Sequence, residues 1–214
     1  MEISSIIFKH PFTCMIAGPT QSGKTTLLTK ILEKSPKIFD HTPERIVYCY
    51  KLWQDSFDKL KKNIPGIEFN QGLPDLDMFD SKINNLLILD DLMNESGNDT
   101  NIYSLFTVHS HHKNISVFYL TQNIFPKEKN ARTINLNCGY LIILNNPRDP
   151  SQIHHLARQM FPYNSKFLIE CYEDACESKQ FGYLFLDFTQ TTSKDFRVQT
   201  GIVDEKRIIY QIKN

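Results

Sequence analysis

The sequence predicts an α/β fold, a mainly parallel sheet covered by helices on both faces. Three observations lead there. Short apolar, β-branched or aromatic runs alternate with helix-length amphipathic segments, the pattern of successive βαβ units. One such run leads straight into the stretch GPTQSGKT at 18–25 and from there into a helical pattern. Another, LLIL at 86–89, ends in two adjacent carboxylates, Asp90 and Asp91.

Element by element, strands are expected at 13–17, 45–50, 85–89, 116–121 and 140–144, with a later run at 182–188. Their near-continuous apolar character suits strands buried on both faces. Helices are expected at 24–34, 54–62, 101–110, 150–160 and 165–177. Punctuation supports the boundaries: Pro36 closes the first helical zone, Pro65-Gly66 marks a turn, and Asn145-Asn146-Pro147 ends a strand. The segments 94–98 and 126–131 read as the most flexible. Beyond about Asp187 the pattern suggests a short hairpin at the sheet edge.

With 214 residues, 41% hydrophobic and 22% charged, the chain suits one domain, 1–214, with its core at about 12–188 and a tail at 189–214. Lys+Arg and Asp+Glu both number 24, so no overall basic field draws a monomer onto nucleic acid. Any such contact must come from a local patch or an assembly. Five cysteines without CxxC spacing point to a reducing compartment rather than to zinc. No signal peptide is read at the N-terminus, and no apolar stretch approaches the roughly 20 residues that cross a bilayer. A soluble protein without a membrane anchor is expected.

The stretch Gly18-Pro19-Thr20-Gln21-Ser22-Gly23-Lys24-Thr25 matches GxxxxGK[ST] between a strand and a helix, the context a phosphate-binding loop requires. Converging backbone N–H groups wrap anionic oxygens, and Gly23 allows an approach that a β-carbon would block. Lys24 is expected on the β- and γ-phosphates, and the Thr25 hydroxyl in the Mg2+ shell. Thr26 joins the nucleotide-binding set as a helix cap or an outer contact. The bland alternative is an ordinary strand-to-helix turn.

A buried parallel strand delivers its C-terminal residues to the edge where ligands bind, so Asp90 is expected to hold Mg2+. Asp91 is the candidate base that orients or deprotonates the attacking water, and Glu95, four residues on, is the alternative. Two adjacent aspartates could also merely cap the next segment. A further strand, VFYLT at 117–121, runs into Gln122 and Asn123. An inserted strand with a polar end is expected of the additional-strand, RecA-like class of P-loop NTPases. Gln122 then senses the γ-phosphate, or else caps a turn.

Taken together, GPTQSGKT, LLILDDLM, SHHKNISVFYLTQN and LNNPRDPSQIHHLARQMFP resemble the FtsK/HerA-type DNA-packaging ATPases of Polinton/Maverick elements, adintoviruses, virophages and, more distantly, poxviruses. The resemblance spans about residues 12–187. It implies an ATPase that forms a hexameric or pentameric ring around double-stranded DNA and drives it into a preformed capsid, with a capsid or portal component as partner. The host cytoplasm or nucleus is the implied compartment. Such rings take an arginine from the neighbouring subunit, because a guanidinium stabilises charge on the transferred phosphoryl group. Arg132 is the first choice, Arg148 the second, and Arg158 a third candidate. A surface ion pair is the competing reading for each.

Lys127, Lys129 and Arg132 form one basic cluster and Lys59, Lys61 and Lys62 another, although such clusters are commonly solvated faces. His109, His111 and His112, even with His154 and His155, read as polar helix ends rather than as a metal site. Trp53, with Tyr48 and Tyr50, reads as core or subunit interface rather than a base-stacking patch. Two other classes stay open. A helicase or conjugation-type pump would share the nucleotide site, and a small-molecule NTP enzyme such as a nucleotide kinase would act as a monomer indifferent to DNA.

Overall fold

The computed structural model describes residues 5–92, 103–106, 110–125 and 131–212. Among these residues nine strands form a single mixed sheet in the order β3-β2-β4-β5-β1-β6-β7-β8-β9. The parallel part comprises β1 (Thr13–Ala17), β2 (Arg45–Tyr50), β3 (Glu68–Gln71), β4 (Asn85–Asp90), β5 (Ile115–Thr121) and β6 (Tyr140–Leu144). Three antiparallel strands, β7 (Tyr183–Asp187), β8 (Val198–Thr200) and β9 (Ile208–Tyr210), extend one side.

Side chains that alternate across each strand divide the core in two. Met15, Val47, Leu87, Leu89, Val117, Tyr119, Leu141 and Ile143 face one layer. Their neighbours Cys14, Ile16, Tyr48, Leu86, Ile88, Phe118, Leu120 and Ile142 face the other. Helices α1 (Lys24–Glu33) and α3 (Ser56–Asn63) cover the second layer through Leu28, Ile31, Phe57 and Leu60. Helices α6 (Ser151–Met160) and α7 (Ser165–Glu177) cover the first through Ile153, Leu156, Leu168 and Cys171. With both faces buried, β1, β4, β5 and β6 have no exposed position, which is why their sequences read as unbroken apolar runs.

Three sequence readings need correction. Pro36 does not simply close the first helix: α1 ends at Glu33, and Pro36 sits in the first turn of a separate short helix, α2 (Ser35–Ile38), where its missing N–H costs nothing. Strand β3 was not anticipated, because EFNQ is polar and lies at the exposed sheet edge, where burial imposes no apolar pattern. Helix α5 (Ala131–Leu136) occupies a stretch with no predicted helix. Of the helix expected at 101–110, residues 103–106 lie in helical segments and 101, 102 and 107–109 fall outside the described residues. A four-residue helix, α4 (Ser110–Lys113), precedes β5. The segment 94–98, Glu95 within it, also lies outside the described residues, as do Lys127, Lys129 and His109.

The strand order carries the functional consequence. Strand β5 is inserted between β4 and β1, and the parallel registers pair Ala17 with Thr121 and Asp90 with Leu120. Residues following β1, β4 and β5 therefore emerge together at one edge.

Candidate nucleotide site

The loop after β1 leaves the sheet with Gly18 N–H bonded to the Thr121 carbonyl at 3.1 Å, which ties it to the inserted strand. It turns through two left-handed residues, Gln21 at φ 65° and Gly23 at φ 97°, before α1 begins. Gly18 and Gly23 are required by packing. A β-carbon on Gly18 would lie 2.6 Å from Ser22 Oγ and 3.0 Å from Leu144 Cβ, and one on Gly23 would lie 2.7 Å from the Phe181 ring. Gly23 holds the N-cap position of α1, and no side chain caps the helix. Capping is therefore not the role of Thr26, which is exposed in the first turn.

Lys24 curls over its own loop. Its Nζ donates to the carbonyls of Gly18 at 2.7 Å and Pro19 at 3.0 Å. Burial lowers its pKa, while the nearby negative charges of Asp90 and Asp91 work in the opposite direction. Asp90 ends β4 almost completely buried, and burial raises its pKa against the hydrogen bond from Tyr48 and the charge of Lys24. One half-buried cation thus lies near two carboxylates, the buried Asp90 and the exposed Asp91, at the head of the loop.

Tyr48 is the residue that sequence reasoning missed. Its hydroxyl donates to Asp90 Oδ2 at 2.6 Å, and it also shares a side-chain hydrogen bond with Thr25. Burial, followed by the Asp90 charge, pushes its own pKa well up, so it stays a neutral donor. Tyr48 joins the two side chains assigned to Mg2+, one from α1 and one from β4. The available signal was a tyrosine inside a strand: a fully buried hydroxyl must find a partner. Which partner depends on β2 lying beside β4.

Gln122 and Asp91 are also brought together, Gln122 Nε2 donating to Asp91 Oδ1 at 3.3 Å. Asp91 has φ 55°, a left-handed conformation that turns its side chain out of the strand direction. Beyond Gln122, the side chain of Gln152 in α6 links two loops. Its Oε1 accepts from Ile124 N–H at 2.8 Å, and its Nε2 donates to Asn123 Oδ1 at 3.1 Å and Asp149 Oδ2 at 2.8 Å. Asp149 is further engaged by the Ser151 hydroxyl, and these bonds lower its pKa. The turn that bears Arg148 is thereby tied to the end of β5.

The arginines are spread out. Arg132 is exposed in α5, Arg148 is exposed in the turn before α6, and Arg158 is exposed in the last turn of α6. Lys59, Lys61 and Lys62 are exposed on α3. Trp53 is half exposed and packs edge-on against Tyr50 and Phe57. His112, His154 and His155 are exposed, and all five cysteines are buried and free. Among the described residues no helix is long and apolar enough to cross a membrane.

These residues suit a magnesium-bound triphosphate. Ser22 Oγ is buried in the loop without a hydrogen-bond partner, and the loop glycines leave no room for side chains. Thr25 and Asp90 supply the hard oxygen donors that Mg2+ prefers. Lys24 supplies the fixed cation.

No protein-family model and no curated protein matches the chain. Solved structures do. The chain is similar to the genome packaging NTPase B204 from Sulfolobus turreted icosahedral virus 2 in complex with sulfate, at 13% identity and a TM-score of 0.55, over 94% of this chain and 96% of that one. The same protein in complex with AMPPCP matches at 12% identity and a TM-score of 0.54, over 94% of this chain and 97% of that one. The similarity covers both chains almost end to end and, with the inserted strand β5, establishes the fold: a mainly parallel sheet of the P-loop type with helices on both faces.

Proposed function

We propose that this chain hydrolyses ATP with Mg2+ as one subunit of a ring that moves double-stranded DNA into a viral-type capsid. The observation that carries the nucleotide chemistry is the convergence of Lys24, Thr25 and Asp90, braced by Tyr48, at the edge where Gln122 meets Asp91. Support for packaging comes from the sequence motifs and from the end-to-end similarity to a protein described as a genome packaging NTPase.

In this reading the loop amides and Lys24 hold the β- and γ-phosphates. Thr25 and Asp90 hold Mg2+, which when bound neutralises phosphate charge. Asp91 orients the attacking water and accepts its proton, with Glu95 as the alternative base. Gln122, bonded to Asp91, couples the state of the γ-phosphate to β5, and Gln152 relays it to the turn bearing Arg148. A neighbouring subunit supplies Arg132, or Arg148 in second place, to the developing charge. A hexamer or pentamer encircles the DNA, contacts its backbone without reading bases, and docks on a capsid or portal component in the host cytoplasm or nucleus.

The test combines sizing and turnover. Purified protein with ATP, Mg2+ and duplex DNA is expected to shift to a ring mass and hydrolyse ATP several-fold faster than without DNA, with no strand separation. Strand separation would favour the helicase reading. A monomer whose turnover ignores DNA would favour a small-molecule NTP enzyme. An Arg132→Ala subunit mixed into wild-type rings is expected to depress turnover more than simple dilution does.

A further inference from the structure

One aromatic ring beside the phosphate loop has no part in the chemistry above. Phe181 lies between α7 and β7, and its ring packs on Gly23, close enough that a β-carbon there would sit 2.7 Å from it. It is 45% exposed, and its φ of 59° is a conformation that side chains with a β-carbon avoid. The turn that presents it is firmly seated. Gly182 N–H bonds the Lys179 carbonyl at 3.0 Å, and a β-carbon on Gly182 would lie 2.3 Å from the Ala175 carbonyl oxygen. Lys179 is ion-paired with Asp204, and its Nζ stands 5.0 Å from the Tyr183 ring centroid. A strained backbone that holds an apolar ring half in water beside a polar loop leaves one side of that ring open to a ligand.

Strand order says which part of the ligand. Across the sheet β4, β5, β1, β6 and β7 follow one another, and the phosphate loop leaves the middle strand, β1. Asp90, Asp91 and Gln122 lie to one side of the loop, at the ends of β4 and β5, and they claim the γ-phosphate end. Phe181 lies to the other side, two residues before β7. The nucleoside end of a triphosphate held in the loop points away from the γ-phosphate, and hence toward β6 and β7.

We propose that Phe181 is the nucleobase platform of this site, offering its ring face to the heterocycle while the loop holds the phosphates. The assignment rests on the nucleotide reading and adds to it the element that binds the base. Stacking on a phenyl ring tolerates every base, so the platform adds affinity for nucleotides over bare phosphate rather than choice among bases.

Calorimetry with ATP and with inorganic tripolyphosphate, each with Mg2+, tests this. Phe181→Ala is expected to weaken ATP binding about tenfold and leave tripolyphosphate binding unchanged, whereas Phe181→Tyr retains ATP affinity. Phe181→Gly separates the role from folding. It relieves the left-handed backbone, so its melting temperature is expected to hold or rise while ATP affinity still falls. Equal losses for ATP and tripolyphosphate would mean that the ring shapes the loop, and unchanged ATP affinity would mean that it binds nothing; either overturns the platform. If the wild-type protein binds neither ligand, the nucleotide reading itself fails and takes the platform with it.

Discussion

The two edges of the central sheet are both polar, yet they are built differently. At the edge where the parallel strands begin, polar groups close on one another. His10 Nδ1 meets Ser116 Oγ at 2.6 Å and its Nε2 meets Asn114 Oδ1 at 2.8 Å, while Ser116 Oγ also accepts from Phe12 N–H at 3.1 Å. Asn85 Nδ2 donates to the carbonyls of Asp80, Ile83 and Asn114. Four non-glycine residues among those described have a positive φ, and the one at this edge is Asn114, a residue type that tolerates it. The other three lie at the opposite edge, Gln21 within the loop at 18–25, Asp91 just after β4 and Phe181 packed on Gly23. There Asp90 is a buried charge and Lys24 a half-buried one, while a buried oxygen without a hydrogen-bond partner occurs at each edge, Ser22 Oγ here and Asn85 Oδ1 at the other. One edge is arranged for the fold and the other against it, and strain concentrated at a single edge is the mark of a site.

The contrast breaks first at Lys24 and Asp90. Lys24→Ala and Asp90→Ala are each expected to lower ATP turnover by about 100-fold or more, because each removes a preorganised charge at the transferring group. The melting curve of Lys24→Ala should change little, since Lys24 is half-buried and bonds only its own loop, whereas Asp90→Ala also strands the Tyr48 hydroxyl and should cost about 1–3 kcal/mol. A collapse of the fold in either variant would place these residues with the architecture instead.

Tyr48→Phe should fall between the two classes. Its loss leaves Asp90 without its buried donor, and about a tenfold rise in the Mg2+ needed for half-maximal turnover is expected. An unchanged Mg2+ titration would reduce Tyr48 to a core residue.

Ser116→Ala gives the reverse pattern at the opposite edge. Removing the hydroxyl strands Phe12 N–H and one nitrogen of His10, so chemical denaturation should show a loss of about 1–3 kcal/mol with turnover per folded molecule unchanged. A fall in turnover without loss of stability would show that the two edges are coupled.

The smallest effect belongs to the exposed ion pair between Arg45 and Glu68, which links β2 to β3 at 2.8 and 2.9 Å. Glu68→Gln should cost under about 1 kcal/mol at neutral pH, as exposed pairs do. The hydrogen bond from Arg45 holds the Glu68 carboxyl below its ordinary 4.5, so the folded state favours the ionised form. Its contribution is full above that value and is lost as the pH falls through the depressed one. The difference between wild type and Glu68→Gln should therefore vanish in acid, as denaturation at pH 7 and near pH 3 would reveal.

What could be read in the linear sequence follows from how local each signal is. GPTQSGKT carries its own geometry, since the strand, the loop glycines and the helix are contiguous, and LLILDD announces a buried strand with charges at its end. The six apolar strands were legible for a related reason: burial on both faces leaves few polar positions in β1, β4, β5, β6 and β7, and β2 keeps a buried apolar centre. Strand β3 was not, because an edge strand is half solvent-exposed, and neither was α5, whose six residues carry little periodicity. Gln152 was hidden because two of its three partners, Asn123 and Ile124, lie on the distant loop after β5.

The sequence by itself therefore determined the α/β class, the glycine-bearing loop between a strand and a helix, and the acidic strand end, all properties of neighbouring residues and of their spacing along one element. The inserted strand was expected as well, but only the tertiary structure decided that Tyr48 bonds Asp90 from the adjacent strand and that Phe181 reaches back across some 158 positions to Gly23. Such contacts depend on strand order, and strand order emerges only when distant apolar runs have packed side by side.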